Sequence, residues 1–250
     1  EIEDLIISIA KDNPFWGYDK IMGALANLDH VVSDTTIGRI LEKHGLSPAP
    51  DRIRKTTWKQ FIKSHKHVLL ATDFFTTEIW NKFGIATYYV LFFIHIETRE
   101  IVIAGATEHP NAEWVEQCAR NITDSETPFE NMRYLIRDRD SKYTEYFDKI
   151  FRDAGINPIK LPAKSPNLNA FAERFVRSIK DECLNRMILF GEKSLNYVLK
   201  EYAQHYNHER NHQGKDNKIL FPDPRLNNTG KIIKHERLGG LLNYYHRDAA

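Results

Sequence analysis

Residues 68–107 read VLLATDFFTTEIWNKFGIATYYVLFFIHIETREIVIAGAT, and the fold turns on them. Val68 to Phe75 and Ile85 to Ile96 are rich in β-branched and aromatic residues, and Glu100 to Thr107 continues the pattern. Such runs read as strands. Three in succession predict an antiparallel meander. Downstream, Ala112 to Ile122 reads as a helix, Arg133 to Arg137 as a strand and Thr144 to Asp153 as a helix closed by Gly155. Asn157 to Leu161 is a short strand, Asn167 to Leu189 a long helix and Ser194 to Asn207 another. The order β-β-β-α-β-α-β-α, with one helix after it, predicts an α/β architecture, a mixed five-stranded sheet flanked by helices.

Upstream, residues 1–48 read as small helices. Ile6, Ile7 and Ile9 give the first a weak apolar face; Trp16, Ile21, Met22, Leu25 and Leu28 recur near helical spacing after Pro14. Ser33 is a good N-cap for a third helix from Asp34 to His44, closed by Gly45. With the short connection at Leu28 to Val32 this is the outline of a helix-turn-helix. Its second helix would expose Thr35, Thr36, Arg39 and Lys43. Residues 49–66 read as a linker, stiffened by Pro50. Arg52, Arg54, Lys55, Lys59, Lys63 and Lys66 make it basic, with Trp58 and Phe61 interleaved. That mixture suits a nucleic-acid backbone, and equally a solvated linker whose Trp58 packs on the next domain. Residues 67–212 then form the central α/β domain and 213–250 a C-terminal extension.

Composition narrows the class. Of 250 residues, 42% are hydrophobic and 28% charged, as in soluble globular chains. The longest mostly apolar run, Ile85 to Ile94, is far short of the roughly 18 residues that span a bilayer. Two cysteines, Cys118 and Cys183, exclude a disulfide scaffold and a cysteine-rich zinc site, and favour a reducing, cytoplasmic setting. No signal peptide is visible; the chain opens on Glu1 rather than Met, which leaves room for a missing native start. The net charge of +1 hides an uneven distribution. Residues 69–173 carry 11 Lys/Arg against 16 Asp/Glu, and residues 174–250 carry 14 against 9. An acidic centre with a basic flank suits an enzyme that gathers cations at its core and polyanions around it; ordinary surface scatter gives the same numbers.

Three acids stand out by position. Asp73 lies inside the first strand with apolar neighbours, where a carboxylate is costly unless paired or bound to metal. Asp138 follows the fourth strand at its C-terminal end, where open α/β sheets place ligand groups. Glu173 lies on the long helix, 35 positions beyond Asp138. If the three converge, their repulsion needs divalent cations, and hard oxygen ligands suit Mg²⁺ or Mn²⁺. Two such ions activate a water or a 3′-hydroxyl and stabilise the leaving oxygen of a phosphodiester. Among 34 acidic residues many such triples arise by chance, so placement on the elements carries the argument.

These residues carry a resemblance to the catalytic chain of bacterial insertion-sequence transposases, within the retroviral-integrase-like superfamily. It spans nearly the whole chain. It rests on WGYDKI at 16–21, TDFFT at 72–76, RDRDSKY at 137–143, SPNLNAFAERF at 165–175 and YNHERNHQ at 206–213. The resemblance implies a ribonuclease-H-like core in which Asp73, Asp138 and Glu173 bind two catalytic Mg²⁺ or Mn²⁺ ions. It implies N-terminal helices that bind transposon-end DNA, and a homo-oligomer acting on double-stranded ends and target. It also implies a bacterial cytoplasmic protein, nucleoid-associated when acting, with no membrane partner. Three departures stand out. Arg139-Asp140 replaces the usual Asn-Gly or Arg-Gly; Arg210-Asn211-His212 replaces Arg-Pro-His; and no cysteine in residues 1–68 allows a His/Cys zinc module.

Arg177 and Lys180 share the helix face of Glu173, placed for phosphates or for salt bridges to Glu173 or Asp181. Lys160 and Lys164 flank the irregular loop before this helix. Asn167 and Asn169 either contact DNA or cap the helix. His205 and His208 lack the companions a zinc site needs. The expected function is metal-dependent cleavage and strand transfer of transposon-end DNA. The rivals are a metal-dependent nuclease of the same fold and a non-catalytic DNA-binding protein derived from a transposase.

Overall fold

The computed structural model describes residues 2–46, 58–124, 129, 131–162, 169–224 and 230–248. The chain divides into two compact units, residues 1–64 and 65–250.

In the first unit, helices α1 (Ile2–Asp12), α2 (Tyr18–Ala26) and α3 (Asp34–Lys43) each contribute a pair four residues apart to one core: Ile6 and Ala10, Ile21 and Leu25, Ile37 and Leu41. The large members are fully buried, and each contributes roughly 1.5–3 kcal/mol of burial free energy. The Ser33 side chain accepts from the Thr36 amide at 3.3 Å, as its N-cap assignment requires. At the other end Gly45 takes φ +67°. Its amide bonds to Glu42 O, and the Leu46 amide to Leu41 O, which together close α3 in a Schellman motif. Ser33→Ala is expected to cost this unit about 1 kcal/mol, read as faster amide exchange at Thr36 and Ile37; Ser33→Asp should leave the exchange unchanged. The stretch read as a linker holds a helix, α4 (Trp58–His65), because Trp58, Phe61 and Ile62 fall at helical spacing and Trp58 stacks on Phe61 at 5.3 Å.

The second unit is built on a five-stranded sheet in the order β3-β2-β1-β4-β5. Its strands are β1 (Leu69–Asn81), β2 (Gly84–His95), β3 (Ile101–Thr107), β4 (Tyr134–Arg137) and β5 (Asn157–Lys160). The first three form the expected antiparallel meander, and β4 and β5 run parallel to β1. β1 is longer than Val68 to Phe75. It pairs with β2 as far as Asn81↔Gly84, and Gly84 supplies φ +121° for the turn. The alternation of exposed Thr76, Glu78 and Trp80 with buried Ile79 is that of a hairpin arm with one solvated face.

One sheet face packs Leu70, Leu91, Phe93 and Leu135 on α5 (Ala112–Thr123) and α6 (Glu145–Asp153), through Val115, Cys118, Ala119, Phe147 and Phe151. On the other, α7 (Ala170–Glu182) sends Phe175 against Phe75 and Phe92, and Tyr202 of α8 (Gly191–His208) packs on Phe175. The architecture is therefore the expected one in outline: a mixed five-stranded sheet flanked by helices, with N-terminal helices in a separate unit. α7 is shorter than Asn167 to Leu189, since Cys183 leaves helical geometry at φ −134° and ψ −72°. Asn167 lies outside the described residues. The C-terminal segment contains an unexpected hairpin, β6 (Ile232–Arg237) with β7 (Leu242–Arg247), held to the α8 end by Arg237, Glu201 and Glu209. Among the described residues no helix is long and apolar enough to cross a membrane.

Candidate active site

The register between β1 and β4 positions the first two acids. Ala71 pairs with Ile136 in a parallel ladder. Two residues further along come Asp138, just past the end of β4, and Asp73, on the same side of β1 as Ala71. That side also carries Phe75, which meets Phe175 of α7. α7 thus lies over the face on which Asp73 sits, and Glu173 is in its first turn.

Asp73 is half-buried, and its Oδ1 accepts from the Phe74 amide at 2.8 Å. Burial is the main reason its carboxyl is pushed up from 3.8 to about 7. The charges of Asp138, Glu173 and Asp140 push the same way, against the Phe74 hydrogen bond. Four carboxyls, from within β1, from the loop after β4 and from one helix, therefore share one electrostatic field. Glu173 itself is exposed, near a helix N-terminus that favours negative charge.

The loop after Asp138 is built from two successive Asx turns. Asp138 Oδ1 accepts from the Asp140 amide at 3.0 Å, and Asp140 Oδ1 from the Lys142 amide at 2.9 Å. Lys142 Nζ returns to Asp140 Oδ2 at 2.8 Å and stands over the rings of Phe74 and Tyr89. Neither Arg139 nor Asp140 has a positive φ, so this turn does not need the glycine it lacks. Underneath, the buried Tyr143 hydroxyl lies 3.5 Å from Thr72 Oγ1, and Thr72 donates to Phe92 O at 2.9 Å. Arg137 donates to both oxygens of Asp148 and, at 3.0 Å, to the Asp138 carbonyl. Sequence reading missed this support. Its signal was polar Thr72, Arg137 and Asp148 within apolar surroundings, where a polar group needs a partner.

Asn169 does not cap the helix, one of its two expected roles. It stands at the N-cap of α7 but its side chain caps nothing. It is buried, and Nδ2 donates to Thr72 O at 3.3 Å, which pins the helix start to the strand beside Asp73. Arg177 is exposed and Lys180 half-buried on the flank of Glu173, and among the described residues neither forms an ion pair. Arg39 and Lys43 are exposed on α3 in the other unit, where Lys43 and His44 meet Glu3 at 2.9 and 2.8 Å and hold its carboxyl below the usual range. Arg52, Arg54, Lys55 and Lys164 lie outside the described residues.

Among the described residues no three His, Cys, Asp or Glu side chains stand close enough to hold one ion. Like charge opposes closer approach within the cluster. The late histidines are engaged elsewhere. His205 donates to Glu209 at 3.1 Å, His208 to Phe221 O at 3.1 Å, and His212 to Tyr206 O at 2.7 Å.

Residues 154–218 match the family model described as integrase core domain. That segment contains β5, α7 with Glu173, and α8, and begins after Asp73 and Asp138. Solved structures are similar at low identity. A chain in the cryo-EM structure of the simian T-cell lymphotropic virus intasome in complex with PP2A regulatory subunit B56 gamma is 12% identical. The match covers 73% of this chain and 67% of that one, with a TM-score of 0.48. The catalytic core domain of BIV integrase is 17% identical over 56% and 84% of the two chains, with a TM-score of 0.40. The HTLV-2 integrase catalytic core domain, in complex with magnesium, is 11% identical over 56% and 86%, with a TM-score of 0.39. No curated protein matches the sequence.

Proposed function

We propose that this chain, a member of the integrase and transposase superfamily with a ribonuclease-H-like fold, is a DNA transposase or integrase that cleaves and joins DNA ends. The reading rests on Asp73, whose carboxyl is held up to about 7 in a field shared with Asp138, Glu173 and Asp140. A cluster of carboxylates with hard oxygen donors fits Mg²⁺ or Mn²⁺. Asp73, Asp138 and Glu173 would hold two such ions. When bound, they supply positive charge for the attacking and leaving oxygens of a phosphodiester.

The chain's own residues do the rest. Asp73 presents its oxygens from within β1 and Asp138 from just past the end of the neighbouring β4, and Glu173 closes the third side from α7. In the first step water attacks phosphorus, one P–O bond forms and one breaks, and a 3′-hydroxyl is released. In the second that hydroxyl attacks a target phosphodiester and displaces a strand oxygen, so the number of P–O bonds is conserved. Arg177 and Lys180 would meet phosphates on the Glu173 flank, and Arg39 and Lys43 would face DNA from the helix-turn-helix. Arg52, Arg54, Lys55, Lys164 and Asn169 are further proposed DNA contacts. Acting on two ends calls for a homo-oligomer.

The test is a strand-transfer assay. Labelled duplexes from the DNA flanking the coding sequence, with recessed 3′ ends, are incubated with a supercoiled plasmid and Mn²⁺ or Mg²⁺. Joined products are expected, and a chelator should remove them. Cleavage without joining would assign the nuclease instead; DNA binding with neither product would assign a non-catalytic binder.

A further inference from the structure

Arg99 has no role in the site described above, yet its environment is unusual. It sits in the turn between β2 and β3 with φ +74°, a left-handed backbone that a residue with a Cβ adopts only under constraint. Its guanidinium lies 3.6 Å from the ring centroid of Phe171, in the first turn of α7. One nitrogen, Nη1, donates to Ile96 O at 2.5 Å. Burial and the nearby Arg174 charge hold this guanidinium down to about 10, which still leaves it charged at neutral pH.

The neighbouring acids do not serve it. Glu97 is bonded to Lys66 at 2.8 Å. Glu100 is half-buried, and the charge acting on its carboxyl is that of His208. Glu182, at the far end of α7, is gripped by Arg210 at 2.7 and 2.5 Å. Arg174, exposed on α7, forms no ion pair among the described residues. The Arg174 charge thus acts on Arg99, neither is in an ion pair among the described residues, and Arg99 is partly desolvated and stacked on Phe171. A desolvated, pre-oriented guanidinium with unused donors is a strong receptor for a phosphate.

We propose that Arg99 and Arg174 form a phosphate-contact site for the DNA backbone, separate from the acid cluster. It rests on the reading that this chain acts on DNA. On a helix, residues two apart face nearly opposite ways, so Phe171 and Glu173 mark opposite flanks of α7. Arg174 is three residues from Phe171 and shares its side. The site would hold a strand on the flank of α7 away from Glu173, while Phe171 keeps the Arg99 fork flat and aimed outward.

Full-length protein is titrated against a fluorescent duplex over a range of KCl, and the slope of log K against log salt is read. Each phosphate contact contributes about 0.9 to that slope. R99Q with R174Q should lower it by about 1–2, and R99K with R174K should keep it near wild type. R174Q alone, at an exposed position, should lower it by about 1 with the melting curve unchanged. Phe171→Leu, which keeps both charges, should leave the slope within error. An unchanged slope in both Gln variants overturns the site, as does a Phe171→Leu loss equal to that of R99Q with R174Q. Absence of salt-dependent binding in wild type overturns the DNA reading itself. Because the readout is binding, a failed joining assay leaves this result to stand by itself.

Discussion

Asp73→Asn is expected to abolish DNA cleavage and joining, by on the order of 10⁴-fold, while making the metal-free protein more stable. The substitution keeps shape, and its Oδ1 can still accept from the Phe74 amide. It removes the charge that burial, Asp138, Glu173 and Asp140 all disfavour. Because the folded carboxyl sits at about 7 and the unfolded one near 3.8, the folded chain keeps a proton that the unfolded chain has released between those values. Stability therefore falls as pH rises through that window, and the full penalty is present above pH 7. The variant should gain on the order of 2–4 kcal/mol over wild type above that window, and nothing below it. Urea unfolding with a chelator present, at both ends of the window, measures this. Equal stabilities at the two pH values would show that the carboxyl is not held up.

A second arm ties the effect to the ion. A cation that binds only the folded state raises the melting temperature by mass action. Mn²⁺ should therefore stabilise wild type and leave Asp73→Asn almost unmoved. Glu173→Gln should lose activity as completely, yet gain little stability, because Glu173 is exposed and sheds no desolvation cost. Equal stabilisation of all three proteins by Mn²⁺ would place the ion elsewhere.

Local chemistry explains which parts of the fold could be read in advance. Ser33, Gly45 and Gly155 mark helix ends by intrinsic preference, and both glycines take the left-handed conformation that closes a helix. The central strands were legible because Val90 to Ile94 are buried on both faces and so form an unbroken apolar run. The far half of β1 was not, because Thr76 and Glu78 face solvent and are held by pairing with Tyr89 and Thr87. The C-terminal hairpin was hidden for a related reason. Its strands bury little beyond Leu242, and they are fixed by Arg237 reaching back 28 positions to Glu209, a contact that no local period reveals. At the site, the sequence singled out acids by the elements they occupy. It did not reveal the parallel pairing that brings β4, with Asp138 just after it, beside the strand of Asp73, nor Asn169 buried against the Thr72 carbonyl. Those depend on which strands become neighbours, a property of the assembled sheet.

Arg137→Ala is expected to cost about 3–5 kcal/mol, and the reason separates folding from positioning. The Arg137 and Asp148 side chains are 4% and 11% exposed. Nε donates to Asp148 Oδ1 at 2.7 Å, Nη2 donates to Oδ2, and the guanidinium lies 5.5 Å from the Tyr143 ring centroid. Truncating either partner strands a buried charge, so Asp148→Ala should be about as damaging. Replacing both by apolar residues of similar volume, Arg137→Met with Asp148→Leu, removes both charges together and should restore most of the stability. It does not restore the bond from Nη1 to the Asp138 carbonyl. That bond fixes the strand end from which Asp138 presents its carboxylate, and supporting groups of this kind are worth about 10–100-fold in metal affinity or activity. The double variant should therefore melt near wild type yet join DNA ends about 10–100-fold more slowly, with a weaker Mn²⁺ dependence. Full activity in a stable double variant would confine Arg137 to folding. Lost activity with intact stability would show that one guanidinium holds α6 against the sheet and aims Asp138 as well.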